Sequence, residues 1–237
     1  MNYGLQMYSV RDITENQMDY ALSEVAAMGY SFVQFAGFAD YTAEEIKSML
    51  DKYNLSVYGT HIGWQQIENL DATIKYHKTI GNSNLIIPGA DLSTKEKLDA
   101  FIDFINEYQP KVEAAGMLMH YHNHSHEFHP NNDGLYIHKE LEERTNILFE
   151  IDTYWVYNAK LDPVETLERL KHRVKVIHLK DGDDKGEGFA LGEGMAPIID
   201  VIAKCNELGI VMVVESETLN PDGISEVRRC IDYLKTL

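Results

Sequence analysis

Ionisable residues recur directly after short apolar runs of this chain. Asp152 follows Ile147-Leu148-Phe149-Glu150-Ile151, His178 follows Val174-Lys175-Val176-Ile177, and Glu215 follows Ile210-Val211-Met212-Val213-Val214. A fourth run, Met119 to His129, sets His120, His122, His124 and His126 at period two, which shares one face while the chain stays extended. Mixed imidazole and carboxylate donors suit Mn²⁺, Zn²⁺, Co²⁺ or Mg²⁺, and the absence of a thiolate among them argues against a structural zinc cluster. His122, Asp152, His178 and Glu215 are therefore the candidate ligands of one divalent ion, with Mn²⁺ preferred.

Further residues fall where they would serve a reaction at that ion. Glu150 shares a strand face with Asp152 one layer deeper, where it is a candidate catalytic carboxylate or a group that orients a ligand. Lys180, two residues beyond His178, is a candidate to polarise a carbonyl or stabilise an oxyanion, with a surface salt bridge as the plain reading. His124 is expected to take part in proton transfer or substrate binding, and His120 to be a hydrogen-bonded histidine inside the fold. His61, Arg11, Trp64 and Trp155 are candidate substrate contacts: the two indoles offer apolar faces to a sugar ring or pack the core, and Arg11 binds a polar group or closes the mouth of the site. His77, His138 and His172 lie in polar helical stretches and read as surface residues. The Gly- and charge-rich segment Asp181 to Gly194 reads as a mobile lid.

These residues need elements that bring them together. β-branched or aromatic runs alternate with segments of helical periodicity about every 25–30 residues, the pattern of parallel strands joined by helices. Strands are expected at 3–8, 32–35, 56–61, 85–87, 116–122, 147–152, 174–179 and 210–215. Helices are expected at 16–28, 43–53, 70–80, 94–115, 163–170, 197–208 and 224–234, with only a short one near 138–143. Thr42 with Glu45 and Ser93 with Glu96 fit capping boxes, and Gly29, Gly81, Gly116 and Gly209 fit helix ends. Eight such units predict a single-domain (β/α)₈ TIM barrel over 1–237, whose active site lies at the C-terminal ends of the strands. A doubly wound nucleotide-binding sheet is the alternative, but neither GxGxxG after the first strand nor GxxxxGK[ST] occurs.

The chain has 237 residues, 44% hydrophobic and 25% charged, with no linker-like or low-complexity stretch, and so reads as one globular domain. A formal net charge of −17 repels phosphate backbones and speaks against nucleic-acid binding. Cys205 and Cys230 both fall in helical patterns and are expected as buried thiols. No apolar run reaches the roughly 20 residues of a membrane span, and Met1-Asn2-Tyr3-Gly4-Leu5 has no basic or apolar leader character, so a cytoplasmic protein is expected. A homo-oligomer is compatible with the sequence.

The motifs Leu5-Gln6-Met7-Tyr8-Ser9-Val10-Arg11-Asp12, Tyr121-His122-Asn123-His124-Ser125-His126-Glu127-Phe128, Asp152-Thr153-Tyr154-Trp155, His178-Leu179-Lys180-Asp181, Leu191-Gly192-Glu193-Gly194 and Val213-Val214-Glu215 resemble the xylose isomerase-like TIM barrels over nearly the whole chain. That group includes sugar phosphate isomerases/epimerases, inosose dehydratases, ketose 3-epimerases and endonuclease IV. The resemblance implies a metal held from strands five to eight, which falls on His122, Asp152, His178 and Glu215. His122 departs from the Glu usual in the epimerases, while dehydratase-like members share a His-rich strand-five motif. The trinuclear endonuclease site would need histidines where Ile87 and Trp155 stand; His61 remains of that set, as a substrate-binding residue.

The expected activity is that of a metal-dependent isomerase or epimerase acting on a sugar or keto-polyol through an enediolate, with an inosose dehydratase-like or keto-glycoside-eliminating lyase as the neighbouring alternative. A sugar-binding barrel without turnover is the rival from another class, and a metal-dependent phosphodiesterase the third. No clustered Arg/Lys phosphate site accompanies the strand ends, which gives little support to a phosphorylated substrate.

Overall fold

Short runs of Val, Ile, Leu and Phe, each bounded by turn or cap residues, form the parallel strands of a closed barrel in this computed structural model, which describes residues 2–237. Met1, the first residue of the segment expected to lack a leader, lies outside the described residues. The barrel strands are β1 (Gly4–Gln6), β2 (Phe32–Phe35), β3 (Ser56–His61), β4 (Asn84–Ile87), β5 (Leu118–His122), β6 (Leu148–Asp152), β7 (Val174–Leu179) and β8 (Val211–Val214). Each pairs with its sequence neighbours, and β8 closes onto β1 through Gly4 opposite Val213 and Leu5 opposite Val214. The eight-stranded barrel expected from the alternation is the observed fold.

Around it lie α1 (Arg11–Met28), α2 (Ala43–Tyr53), α3 (Trp64–Ile67), α4 (Leu70–Thr79), α5 (Lys95–Ala114), α6 (Ile137–Arg144), α7 (Thr153–Asn158), α8 (Pro163–Leu170), α9 (Ile198–Leu208) and α10 (Gly223–Leu234). Their apolar stripes pack on the outward side chains of the strands, so the main core is the layer between barrel and helices. Among the described residues no helix is long and apolar enough to cross a membrane. Cys205 and Cys230 are buried and unpaired by disulfide.

Several boundaries differ from expectation for local reasons. Strand β1 stops at Gln6, because its side chain accepts from the Tyr8 N–H and starts a 3₁₀ turn at Met7–Val10. Helix α1 begins at Arg11 rather than Asn16 and is broken at Gln17, whose backbone is not helical. The Thr42–Glu45 capping box is present, whereas Ser93–Glu96 is not: Thr94 caps α5, and Ser93 is engaged by Asp91. Gly29, Gly81, Gly116 and Gly209 all take positive φ at helix ends. The short α3 and α7 were not anticipated; α7 starts because the Asp152 carboxylate accepts the Trp155 N–H at 3.1 Å.

Two histidines expected at the surface are buried. His77 packs beside Phe38 and Tyr76 and bonds Asn82, while His138 is stacked between Phe128 and Phe149 and pairs with Glu142. His172 is exposed, as expected. The segment expected as a mobile lid is tied down: it forms a small hairpin, Asp181–Gly182 with Gly188–Phe189, and the buried Asp181 carboxylate accepts N–H bonds from Gly182, Gly192, Gly194 and Ala196.

Candidate metal centre

Parallel register sets the inward side chains in layers. His122 lies opposite Glu150, Asp152 opposite His178, and Gln6 opposite Gln34. Neighbours in register point to the same side of the sheet, so these pairs converge on the barrel axis at the C-terminal ends of the strands. Glu215 lies one residue beyond β8 and its N–H still donates to Leu179 O, which fixes it beside β7. Space for Gln34 in the interior comes from Gly59, where a Cβ would lie 2.6 Å from Ile86 Cδ1 and 3.3 Å from Gln34 Nε2.

The four expected ligands, His122, Asp152, His178 and Glu215, are all buried, and one donor atom from each lies within 4.8 Å of the others. Asp152 Oδ2 is buried without a hydrogen-bond partner, and Lys180 Nζ comes no nearer than 4.0 Å. Such unspent lone pairs are costly unless something positive meets them, and imidazoles with carboxylates are a donor set that a divalent ion satisfies. The residues present therefore fit one divalent metal.

Charge around these donors is strongly coupled. Burial pushes the Asp152 carboxyl up to about 7, against the pull of Lys180 and with the push of Glu215. Burial acts in the same sense on Glu215, but His178 and Lys180 outweigh it and hold that carboxylate well below its usual range. Burial disfavours the His178 imidazolium, yet Glu150 and Glu215 raise it to about 9, with Nδ1 3.1 Å from Glu215 Oε2. His122, deprived of water, falls to about 3 and stays neutral, the state a ligand requires. His178 Nε2 faces Gln34 Oε1 at 2.7 Å, so Nε2 keeps its proton and Nδ1 is the nitrogen that an ion could take by displacing a proton.

Of the two roles expected for Glu150, catalytic carboxylate or group that orients a ligand, its surroundings match the second. It is wholly buried, its Oε1 accepts from Gln34 Nε2 at 2.5 Å and its Oε2 lies 2.6 Å from His61 Nε2. His122 Nδ1 and His178 Nε2 each stand 3.3 Å from that second oxygen. His178 and His61 overcome burial and hold the carboxylate well below its usual range. Three imidazoles thus share one anion beneath the ligands, and Gln6 donates to Gln34 to complete the support.

Above the donors opens a cavity of about 300 Å³ lined by Tyr8, Ala36, His61, Pro88, His122, His124, Glu215 and Glu217. That size lies at the small end for ligand sites. His61 is in its wall, stacked on His178. His124 faces it too, with its pKa lowered by burial. Trp155 flanks the site, 5.9 Å from His124 between ring centres. Lys180 is not part of the cavity wall: its ammonium is buried, paired with Glu217, 3.4 Å from Glu215 and 4.8 Å from the Trp155 ring centre. Burial would lower its pKa, but Glu215, Asp152 and Glu217 raise it above the ordinary lysine value.

Trp64 and Arg11 take the second of the roles expected for each. Trp64 packs edge-on against Phe101 and Phe104 in the helix layer, because α3 turns it outward from the end of β3. Arg11 closes the mouth, donating to Tyr8 O and Glu217 O and lying over the Tyr8 ring. His120 is buried inside the barrel and bonds Asn84, as expected. Gln6, Gln34 and Tyr8 were missed. A lone glutamine inside an apolar strand, as in Phe32-Val33-Gln34-Phe35, was the available signal for Gln34.

The sequence profile of the family described as xylose isomerase-like TIM barrel matches residues 22–237. No curated protein matches the chain. Among solved structures, one titled as a sugar phosphate isomerase/epimerase from Parabacteroides distasonis is 23% identical, with a TM-score of 0.86 over 100% of this chain and 98% of that one. One titled as a probable 3-DHS dehydratase from Bacillus anthracis is 13% identical, with a TM-score of 0.80 over 99% of both chains. A D-allulose 3-epimerase from Methylomonas sp. is 12% identical, with a TM-score of 0.75 over 100% of this chain and 97% of that one. At these identities the likeness is one of fold.

Proposed function

The chain belongs to the xylose isomerase-like TIM barrel family, and from that premise we propose that it is a metal-dependent isomerase or epimerase of a sugar or keto-polyol. The observation that carries this reading is the convergence of His122, Asp152, His178 and Glu215, with Asp152 Oδ2 still unpartnered, at the floor of a cavity of about 300 Å³. A divalent ion on those residues, Mn²⁺ by preference, would chelate a carbonyl and an adjacent hydroxyl oxygen and acidify the C–H between them.

The chain supplies the proton transfers. His124 Nδ1 is turned toward Glu127, 4.0 Å away, which leaves Nε2 for the cavity. With its pKa lowered, His124 is neutral near pH 7 and takes the substrate proton at Nε2. Glu217, anchored by Lys180, enters the cavity from the end of β8, three strands around the ring from β5, and so faces the substrate from a nearly opposite wall. Removal on the His124 side and delivery on the Glu217 side, where the Lys180 ammonium gives up the proton that the Glu217 carboxylate passes on, gives the epimer. Loss of a substituent from the neighbouring carbon before delivery gives the elimination product, the alternative outcome to which the His-rich strand-five motif lends weight. His61 and Trp155 border the ligand, and Lys180 reaches a substrate oxygen only by giving up Glu217.

The test is metal content of the purified protein beside Asp152→Ala and Glu215→Ala, followed by deuterium incorporation from D₂O into a panel of ketoses and inososes. About one buried ion per chain, lost in both variants, with metal-dependent exchange is the expected result. Ligand affinity without metal or exchange would instead identify a sugar-binding barrel and overturn the proposal.

A further inference from the structure

A second group of donors, outside the four ligands, meets the same cavity through His124. After β5 the chain leaves the barrel through His124, Ser125, His126 and Glu127, and one donor atom from each of His124, His126 and Glu127 lies within 4.8 Å of the others. His126 Nε2 is 3.4 Å and His124 Nδ1 4.0 Å from Glu127 Oε1. Ligands of a tetrahedral zinc ion, each roughly 2.0–2.2 Å from the metal, stand about 3.4 Å apart, so only small side-chain motion separates the present spacing from a coordinated one.

Three features mark these residues as prepared for a cation. Glu127 is wholly buried although it follows the exposed His126 in a 3₁₀ turn, and both its oxygens are oriented: Tyr121 Oη donates to Oε1 at 2.9 Å and the His124 N–H donates to Oε2 at 2.8 Å. Outer hydrogen bonds of this kind aim a ligating carboxylate. His124 Nδ1 is shielded from water and has no hydrogen-bond partner. The His124 and His126 rings lie nearly parallel, 5.8 Å apart, and His126 is 63% exposed, which leaves a path for an ion from solvent.

We propose that His124, His126 and Glu127 form a second metal site, a two-histidine, one-carboxylate set for Zn²⁺ or a similar borderline cation, at the rim of the cavity. Its open coordination positions take water. The buried centre is separate: it uses His122, Asp152, His178 and Glu215 and shares no residue with the rim. One consequence rests on the proposed function. An imidazole that gives its lone pair to an ion through Nδ1 carries its proton on Nε2 and cannot accept another. Zinc at the rim therefore silences His124 as a base, and excess Zn²⁺ inhibits a reaction that the buried ion supports.

Equilibrium dialysis against Zn²⁺ tests the site without reference to the reaction. The wild type is expected to hold two ions, Asp152→Ala one, His126→Gln one and the double variant none. His126 is exposed, so its substitution leaves the fold intact, which circular dichroism verifies. An ion count that His126→Gln leaves unchanged overturns the proposal, whereas a wild type that binds one ion, lost in His126→Gln and kept in Asp152→Ala, keeps the rim site and overturns the buried centre instead. Inhibition of deuterium exchange by excess Zn²⁺, relieved at least tenfold in His126→Gln, is expected where exchange occurs; unrelieved inhibition overturns the link to His124 and leaves the stoichiometry to decide the site.

Discussion

Glu150 illustrates how much a single residue can decide without touching a substrate. Its carboxylate is the common partner of His61, His122 and His178, and Gln34 holds its other oxygen. Replacing it with Gln keeps the shape but removes the anion that orients two of the four ligands. Glu150→Gln is expected to weaken affinity for the buried ion roughly 10–100-fold while leaving the rim site unchanged, measured by competition with a chelator. Unchanged affinity for the buried ion would show that strand geometry alone positions the imidazoles. The spacing in the sequence put Glu150 on the face of Asp152, but whether it met substrate or histidines depended on its depth. Its depth is a property of barrel closure, not of strand six.

At the level of elements, the segment after β7 shows charge replacing apolar packing as a fastener. Its Gly content and charge suggested mobility, yet Asp181 gathers four backbone N–H groups and returns the chain to the barrel end. A buried carboxylate with four donors gives charge-assisted bonds stronger than neutral ones. Asp181→Ala is expected to cost about 2–4 kcal/mol in urea unfolding and to open residues 183–187 to limited proteolysis. Wild-type stability with an uncut loop would show that the hairpin holds itself. The two missed helices have a related cause. Helix α7 is only six residues long, and it begins where Asp152, a proposed ligand, caps it; periodicity over so few residues carries no signal.

For the molecule as a whole, buried neutral histidines set an acid limit. Burial lowers His77 and His120 each to about 4, against about 6.5 in the unfolded chain. Between these values the unfolded chain binds protons that the folded one does not, so stability rises with pH across that window. It is complete above about pH 6.5 and is lost as pH falls toward 4, by up to about 3 kcal/mol for each histidine. The formal charge of −17 works in the opposite sense, since protonating carboxylates near pH 4 relieves repulsion. The histidine effect begins at higher pH, so urea midpoints at constant ionic strength are expected to fall from pH 7 to pH 5, with a shallower slope in His77→Gln. Asp152, pushed up to about 7, opposes the histidines across the same window, so the slope difference is the test: a slope that His77→Gln leaves unchanged would assign His77 an ordinary pKa in the folded state.

On this scale too, the sequence determined the barrel. Alternation of apolar runs with helical periodicity is local, and eight repetitions leave little choice but to close. It also marked His122, Asp152, His178 and Glu215, because each directly follows or ends a run that must be a strand. Trp64 and Arg11 were read from chain position near the strand ends, and position there does not fix direction: α3 turns one into the helix layer and a backbone clamp holds the other at the mouth. Gln6 and Gln34 gave little sign of pairing 28 residues apart. Only the closed barrel decides which polar side chains share its low-dielectric interior, since register and depth are set jointly by strands far apart in the chain.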